Sequence, residues 1–294
     1  MMEGFTRTEI KTSFARIVTV HGGTGPPLLL MHGNPFNHLS WRKIAPSLAR
    51  DFTVVCTDLR GYGDSEKPPA GENHANYSFR AMAQDQVEVM AALGFARFMA
   101  AGHDRGARVL HRMCLDHPGR VESAAFLDIL PQHHLLNHVN LGFAKFSWHW
   151  FFMVQPYDFP ERLMSAEPEF FLRRKLAKTP QGLSFFDEDA IQDWIRCMRD
   201  PKTVHAMCED YRATFTVDLD TDTKDFAAGR RVDCPALVLW GATGGVGRDH
   251  KPEQVWPLYA ADIKRMAALP SGHYLSEEAP RETETELRRF FLPG

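Results

Sequence analysis

Residues 98–106 read Phe98-Met-Ala-Ala-Gly102-His-Asp104-Arg-Gly106, and this stretch decides the fold. A short apolar run of strand type enters a turn, and helical spacing begins directly after it, from Arg108 to Asp116. Small residues stand two positions either side of Asp104. A nucleophile elbow needs that spacing, because glycines let the backbone turn sharply and thrust the central side chain outward. The central residue is an aspartate, whose carboxylate needs no base to deprotonate it and can attack carbon directly to form an ester. The competing reading is a strand-to-helix turn whose aspartate caps the helix.

Outward from the elbow, apolar runs ending in Gly or Asp recur at 15–20, 27–31, 52–57 and 124–127, each with the pattern of a buried strand. Helical spacing fills the gaps, as in Met82, Val87, Met90 and Leu93. Strands alternating with helices predict an α/β fold with a mostly parallel central sheet and helices on both faces. The rhythm stops near Pro131 and returns at 235–240. Between them the chain is aromatic-rich and helical in pattern, broken by Pro156, Pro160, Pro168, Pro180 and Pro201. The expected organisation is a core at 1–134, an inserted helical cap at 135–215 and the rest of the core at 216–294. A last strand near 266–269 leads to Ser271-Gly272-His273, and an acidic helix at 282–291 closes the chain.

Composition narrows the function. The 294 residues carry 34 Lys+Arg against 37 Asp+Glu, and a net charge of -3 argues against a nucleic-acid partner. The longest uncharged stretch, 129–144, holds three His, two Asn and a Gln, which are costly in hydrocarbon, so no membrane partner is expected. Five scattered cysteines form no C-x-x-C, so neither a disulfide framework nor a zinc site is suggested, and the N-terminus lacks the apolar core of a signal peptide. The expected compartment is cytoplasmic.

Three further features join the elbow. His32-Gly33-Asn34-Pro35 follows the run 27–31, where an elbow architecture places the loop that donates an oxyanion-hole N–H. The turn-rich Asp58-Leu-Arg-Gly-Tyr-Gly-Asp-Ser65 follows the next strand, and His273 follows the last. Together these resemble the α/β-hydrolase superfamily over the whole chain. More narrowly, Gly102-His-Asp-Arg-Gly-Ala-Arg108, Asp128-Ile-Leu-Pro131, His149-Trp150 and Cys208-Glu-Asp-Tyr211-Arg-Ala213 resemble the fluoroacetate (haloacetate) dehalogenases. An aspartate elbow alone would also fit epoxide hydrolases and haloalkane dehalogenases.

Arg105 and Arg108 choose among these. Both lie on the first turns of the elbow helix, where side chain and helix N-terminus alike favour an anion. The resemblance implies that the pair holds a substrate carboxylate through the guanidinium fork. The competing reading is a structural bridge to Asp104 or Asp116. The resemblance also implies a halide pocket made of His149, Trp150 and Tyr211, three N–H or O–H donors aimed at the leaving group. The base that activates water is expected to be His273, its tautomer fixed by an acid. Asp128, at the end of an apolar strand, is preferred for that acid over Asp249 in the charged loop 247–251. The backbone N–H groups of Asn34 and Arg105 complete the expected oxyanion hole. His133, His134 and His138 include a metal-like spacing, but no acid or Cys joins them, and the chemistry calls for no cofactor or metal.

The expected reaction is hydrolysis of a short 2-haloacid such as fluoroacetate or chloroacetate to the 2-hydroxyacid and halide, with that small molecule as partner and a homodimer implied by the resemblance. Two departures bear on pocket size. Asn34 stands where the family has Phe, and resembles a halide-holding Asn of haloalkane dehalogenases, while the segment 175–179 lacks a cap Trp common in the family. Two other readings stay open: an epoxide hydrolase using Tyr211 and Tyr157 as cap phenols, and a non-catalytic binder of the same fold.

Overall fold

In β3 (Pro27–Met31), Leu28 to Met31 are wholly buried, because helices cover both faces of the strand and leave no side for polar residues. Every residue of β5 (Phe98–His103) and β7 (Ala236–Gly241) is likewise buried. These strands belong to a computed structural model that describes residues 2–178 and 181–292. Its other strands are β1 (Thr6–Lys11), β2 (Arg16–Gly22), β4 (Thr53–Thr57), β6 (Val121–Leu127) and β8 (Ile263–Leu269). They form one sheet in the order β1-β2-β4-β3-β5-β6-β7-β8. The pairs β1/β2 and β2/β4 are antiparallel and the remaining five are parallel.

Successive strand residues point to opposite faces. Leu29, Met31, Val55, Ala100 and Phe126 therefore pack with one core layer, and Leu28, Leu30, Val54, Met99 and Ala101 with the other. The first layer continues into the residues between β6 and β7, through Trp150, Trp194 and Tyr211, so those helices share a core with the sheet. Helices there run from Gln132–Asn137 to Pro201–Ala213 and continue through a π-turn, Thr214–Asp218, into Leu219–Ala227, beyond both ends of the expected cap span. Pro160, Pro168 and Pro201 each occupy the first turn of a helix, where the missing N–H costs nothing. Pro180 lies outside the described residues. Among the described residues, no helix is long and apolar enough to cross a membrane.

Candidate active site

The turn after β5 makes the site. Asp104 sits at φ 50°, ψ -116°, a backbone conformation that costs about 1–3 kcal/mol and persists only where its surroundings enforce it. Enforcement comes from close packing. A Cβ on Gly106 would lie 2.4 Å from the Met31 carbonyl oxygen, and one on Gly102 would lie 2.4 Å from that of Gly106, so neither position tolerates a side chain. The elbow helix, Arg105–Asp116, follows at once. Asp104 is thereby presented at its N-terminus without capping it, since the carboxylate makes no hydrogen bond to the helix N–H groups.

The Asn34 N–H donates instead to Asp104 Oδ1 at 2.9 Å, which puts a backbone donor beside the carboxyl carbon. His32 fixes that loop: its Nδ1 donates to the Gly33 carbonyl at 2.8 Å, and its Nε2 accepts the Leu59 N–H at 2.9 Å. Both bonds together require a neutral imidazole, and burial lowers the His32 pKa to about 4. The Asn34 side chain points away from the reaction, its Nδ2 donating to Tyr62 Oη at 3.1 Å. The hydroxyl of Tyr62 in turn donates to Asp210 at 2.6 Å. This bond engages one of the two N–H groups of the amide.

His273 Nε2 lies 3.6 Å from Asp104 Oδ2, and its Nδ1 lies 2.6 Å from Asp128 Oδ2. Asp128 is 3 % exposed, and its other oxygen accepts the Gly241 N–H at 2.8 Å, so both oxygens are fixed by different strands' ends. Asp249 is turned to Arg248, which donates to it at 2.8 and 2.6 Å. The structure thus sets Asp128, not Asp249, against the imidazole. His103 adds a brace that sequence reasoning missed: its Nε2 donates to the His273 carbonyl at 2.7 Å. Burial would raise the Asp104 pKa, but the nearby His273 imidazole outweighs it and holds the carboxyl well below the usual range. Burial likewise works to lower the His273 pKa, yet the neighbouring Asp104 carboxylate and the hydrogen bond to Asp128 raise it. We expect Asp128→Asn to slow turnover roughly 10³-fold by favouring the wrong tautomer, and Asp249→Asn to have little effect. Steady-state rates of both variants check the assignment, and a larger loss at Asp249 would reverse it.

The two arginines are not equivalent. Arg105, wholly buried, grips Asp210 with Nε at 2.9 Å and with Nη2, which also reaches Thr214 Oγ1. Its bridge partner is therefore Asp210 on the helix Pro201–Ala213, neither Asp104 nor Asp116. Only Nη1 remains without a partner. Arg108 has no carboxylate partner among the described residues. Its Nη1 donates to the Leu130 carbonyl at 3.0 Å and to Gln132 Oε1 at 2.8 Å, and burial, then the charge of Arg105, lowers its pKa to about 10. It stays cationic at neutral pH and faces a cavity of about 50 Å³ that Asp104, His149, Trp150 and His273 also line.

His149 and Trp150 lie on the helix Trp148–Met153, and the edge-on Tyr211 ring abuts both, at 5.8 and 5.5 Å between centroids. His149 Nδ1 and Tyr211 Oη are buried without partners. Burial holds the His149 pKa well below its usual value, so the ring is neutral. Two buried-side cations were missed by sequence reasoning, Lys175 and Lys178; on sequence alone, lysines three apart in a polar segment resemble a solvated helix face. Lys175 Nζ donates to the Asn34 carbonyl at 3.1 Å, and Lys178 lines the cavity. Thr179, the end of the segment lacking the cap Trp, lies outside the described residues. The clustered histidines are otherwise engaged: His133 bonds Tyr259 Oη at 2.8 Å, and His138 bonds the His134 carbonyl at 2.8 Å.

Comparison with known proteins agrees with this architecture. The family model described as alpha/beta hydrolase fold matches residues 26–280. A fluoroacetate dehalogenase from Burkholderia sp. is 44 % identical over 291 residues, covering 99 % of this chain and 95 % of the relative. A soluble epoxide hydrolase from Corynebacterium sp. (strain C12) is 31 % identical over 283 residues, covering 95 % and 94 %. A solved structure described as an alpha/beta hydrolase, from Nostoc sp PCC 7120, superposes with a TM-score of 0.96 at 48 % identity, covering 100 % of both chains. The chain belongs to the α/β-hydrolase superfamily and, within it, to the haloacetate dehalogenase family, hydrolases that act on carbon–halide bonds.

Proposed function

We propose that the protein hydrolyses short 2-haloacids of the fluoroacetate and chloroacetate class to 2-hydroxyacids through an ester on Asp104. The observation that carries this reading is the unpaired Arg108 guanidinium facing the same small cavity as Asp104 and His273. A cavity of about 50 Å³ takes a few waters, and so a solute of only a handful of heavy atoms. Arg108, helped by Arg105 Nη1, holds the carboxylate so that the α-carbon lies between Asp104 and the halide donors, a near-attack arrangement. An Asp104 oxygen forms the bond to the α-carbon as the carbon–halogen bond breaks, and halide leaves with the electron pair toward His149, Trp150 and Tyr211.

Ester formation removes the Asp104 charge that had raised the His273 pKa, which leaves the imidazole a neutral base when it is needed. Water then attacks the Asp104 carboxyl carbon and gives its proton to His273 Nε2. The developing oxyanion is met by the N–H groups of Asn34 and Arg105. Collapse breaks the bond from that carbon to the ester oxygen, which takes the proton from His273 and departs as the hydroxyl of the 2-hydroxyacid, while the regenerated Asp104 carboxyl loses the remaining water proton to solvent.

Halide release from fluoroacetate, chloroacetate and 2-chloropropionate, beside diol formation from a neutral epoxide, tests the reading; epoxide turnover without halide release would replace it. The epoxide alternative is supported by the Corynebacterium relative but has a weak cap: Tyr157 is 73 % exposed, and Tyr211, though buried against His149 and Trp150, is not among the residues lining the cavity. Within the dehalogenase reading, Tyr211→Phe, His149→Gln and Trp150→Phe should each slow defluorination more than debromination. Fluoride concentrates its charge, so a lost donor costs of order 1–3 kcal/mol there. Equal losses for all halogens would assign these residues to packing.

A further inference from the structure

We propose that Lys178 is a specificity-determining residue, a cation at the mouth of the cavity that draws in anionic haloacids and disfavours neutral halo-compounds. The proposal rests on the haloacid reading above. The cavity has two zones. Asp104, Arg108, His149 and Trp150 form a buried floor, whereas Phe146, Lys178, Val246 and His250 are each partly open to solvent and form its rim. Lys178 Nζ lies 4.9 Å from the Phe146 ring centroid and 5.9 Å from that of Tyr274. These cation–aromatic contacts fix the ammonium without neutralising it.

A second cation beside the rim is cancelled. Arg248, whose guanidinium lies 5.2 Å from the same Phe146 ring, is paired with Asp249. Lys178 has no ion-pair partner among the described residues, and Lys175, which donates to the Asn34 carbonyl, is not among the residues that line the cavity. Lys178 is therefore the rim cation without an ion-pair partner, ahead of the Arg108 charge on the floor, while the carboxylates of Asp104 and Asp128 lie deeper in the same cavity. Burial lowers the Lys178 pKa to about 8, which still leaves it charged at pH 7. Low-dielectric walls focus such a field on an approaching anion. The nucleophile and the halide donors belong to the floor, so the rim charge should act on capture and not on bond breaking.

The test is steady-state kinetics of the full chain and its Lys178→Gln, Lys178→Arg and Lys178→Glu variants on chloroacetate, with neutral chloroacetamide alongside. For Gln we expect KM for chloroacetate to rise roughly tenfold, with kcat held within about twofold. Arg should restore KM and Glu should raise it further. The advantage of the wild type over Gln should shrink as ionic strength rises with a non-halide salt, and chloroacetamide should not separate the two. A Gln variant with wild-type KM, or one whose main loss is in kcat, would overturn the proposal while leaving the haloacid reading intact. A wild type that releases no halide from any haloacid would overturn both.

Discussion

His273→Asn is expected to convert a turning-over enzyme into one that reacts once. Displacement of halide needs only Asp104, whereas ester hydrolysis needs the imidazole, so halide should appear in a single burst of one per active site. Steady turnover should fall roughly 10²–10⁴-fold, the usual worth of a positioned general base. Mass spectrometry should find Asp104 carrying the mass of the substrate less halide. The structure favours this outcome because His273 stands 3.6 Å from Asp104 on the side away from the Asn34 N–H, which stays in place in the variant. Asp104→Asn supplies the complementary result: no burst, no adduct, and a fold held by the same glycine contacts. Steady turnover by His273→Asn with no adduct would remove His273 from this role. Rates measured against pH should add an acid limb to the hydrolytic step, since His273 serves as base only when unprotonated.

Where these residues sit in the fold was legible because it depends on local backbone demands. Gly102 and Gly106 mark the elbow, since no side chain fits there, and Asp128 marks the end of a strand whose apolar residues can only be buried. The first strand was not legible. In Thr6–Lys11 only Ile10 is buried, because an edge strand with one polar face carries little of the apolar signal by which the interior strands are found. The terminal strand, read near 266–269, in fact begins at Ile263, and of its residues only Leu269 is buried.

Side-chain pairings distant in sequence were illegible for a different reason. Nothing near Arg105 announces Asp210; the π-turn at Thr214–Asp218 adjoins that contact, and Thr214 Oγ1 joins it. Without that distant partner, two arginines one turn apart look interchangeable. With it, one is mostly a strut and the other is free. The ammonium groups of Lys175 and Lys178 were hidden in the same way, since burial of a lysine depends on what the rest of the chain folds over it.

Arg108→Leu should therefore lose most activity on haloacetates, and more than a change at a paired arginine would suggest. The Arg108 cation is buried without a carboxylate and held by the Leu130 carbonyl, Gln132 and the face of the Trp150 ring, 4.9 Å away. An anionic substrate supplies the missing partner. Losing one member of such a buried pair costs about 3–5 kcal/mol, or roughly 10²–10⁴-fold in kcat/KM. Arg108→Lys keeps the charge but cannot hold Leu130 and Gln132 while also forking onto a carboxylate, so KM should rise and kcat fall. Stability should move the other way. Leu removes an uncompensated buried charge, so its Tm in the absence of ligand should equal or exceed that of the wild type, while acetate should raise the Tm of the wild type alone. Efficient wild-type turnover of haloacetamide, together with an Arg108→Leu variant that keeps its haloacetate rate, would defeat this account. The guanidinium would then be a structural donor to Leu130 and Gln132, and the cavity would select its substrate by size and not by charge.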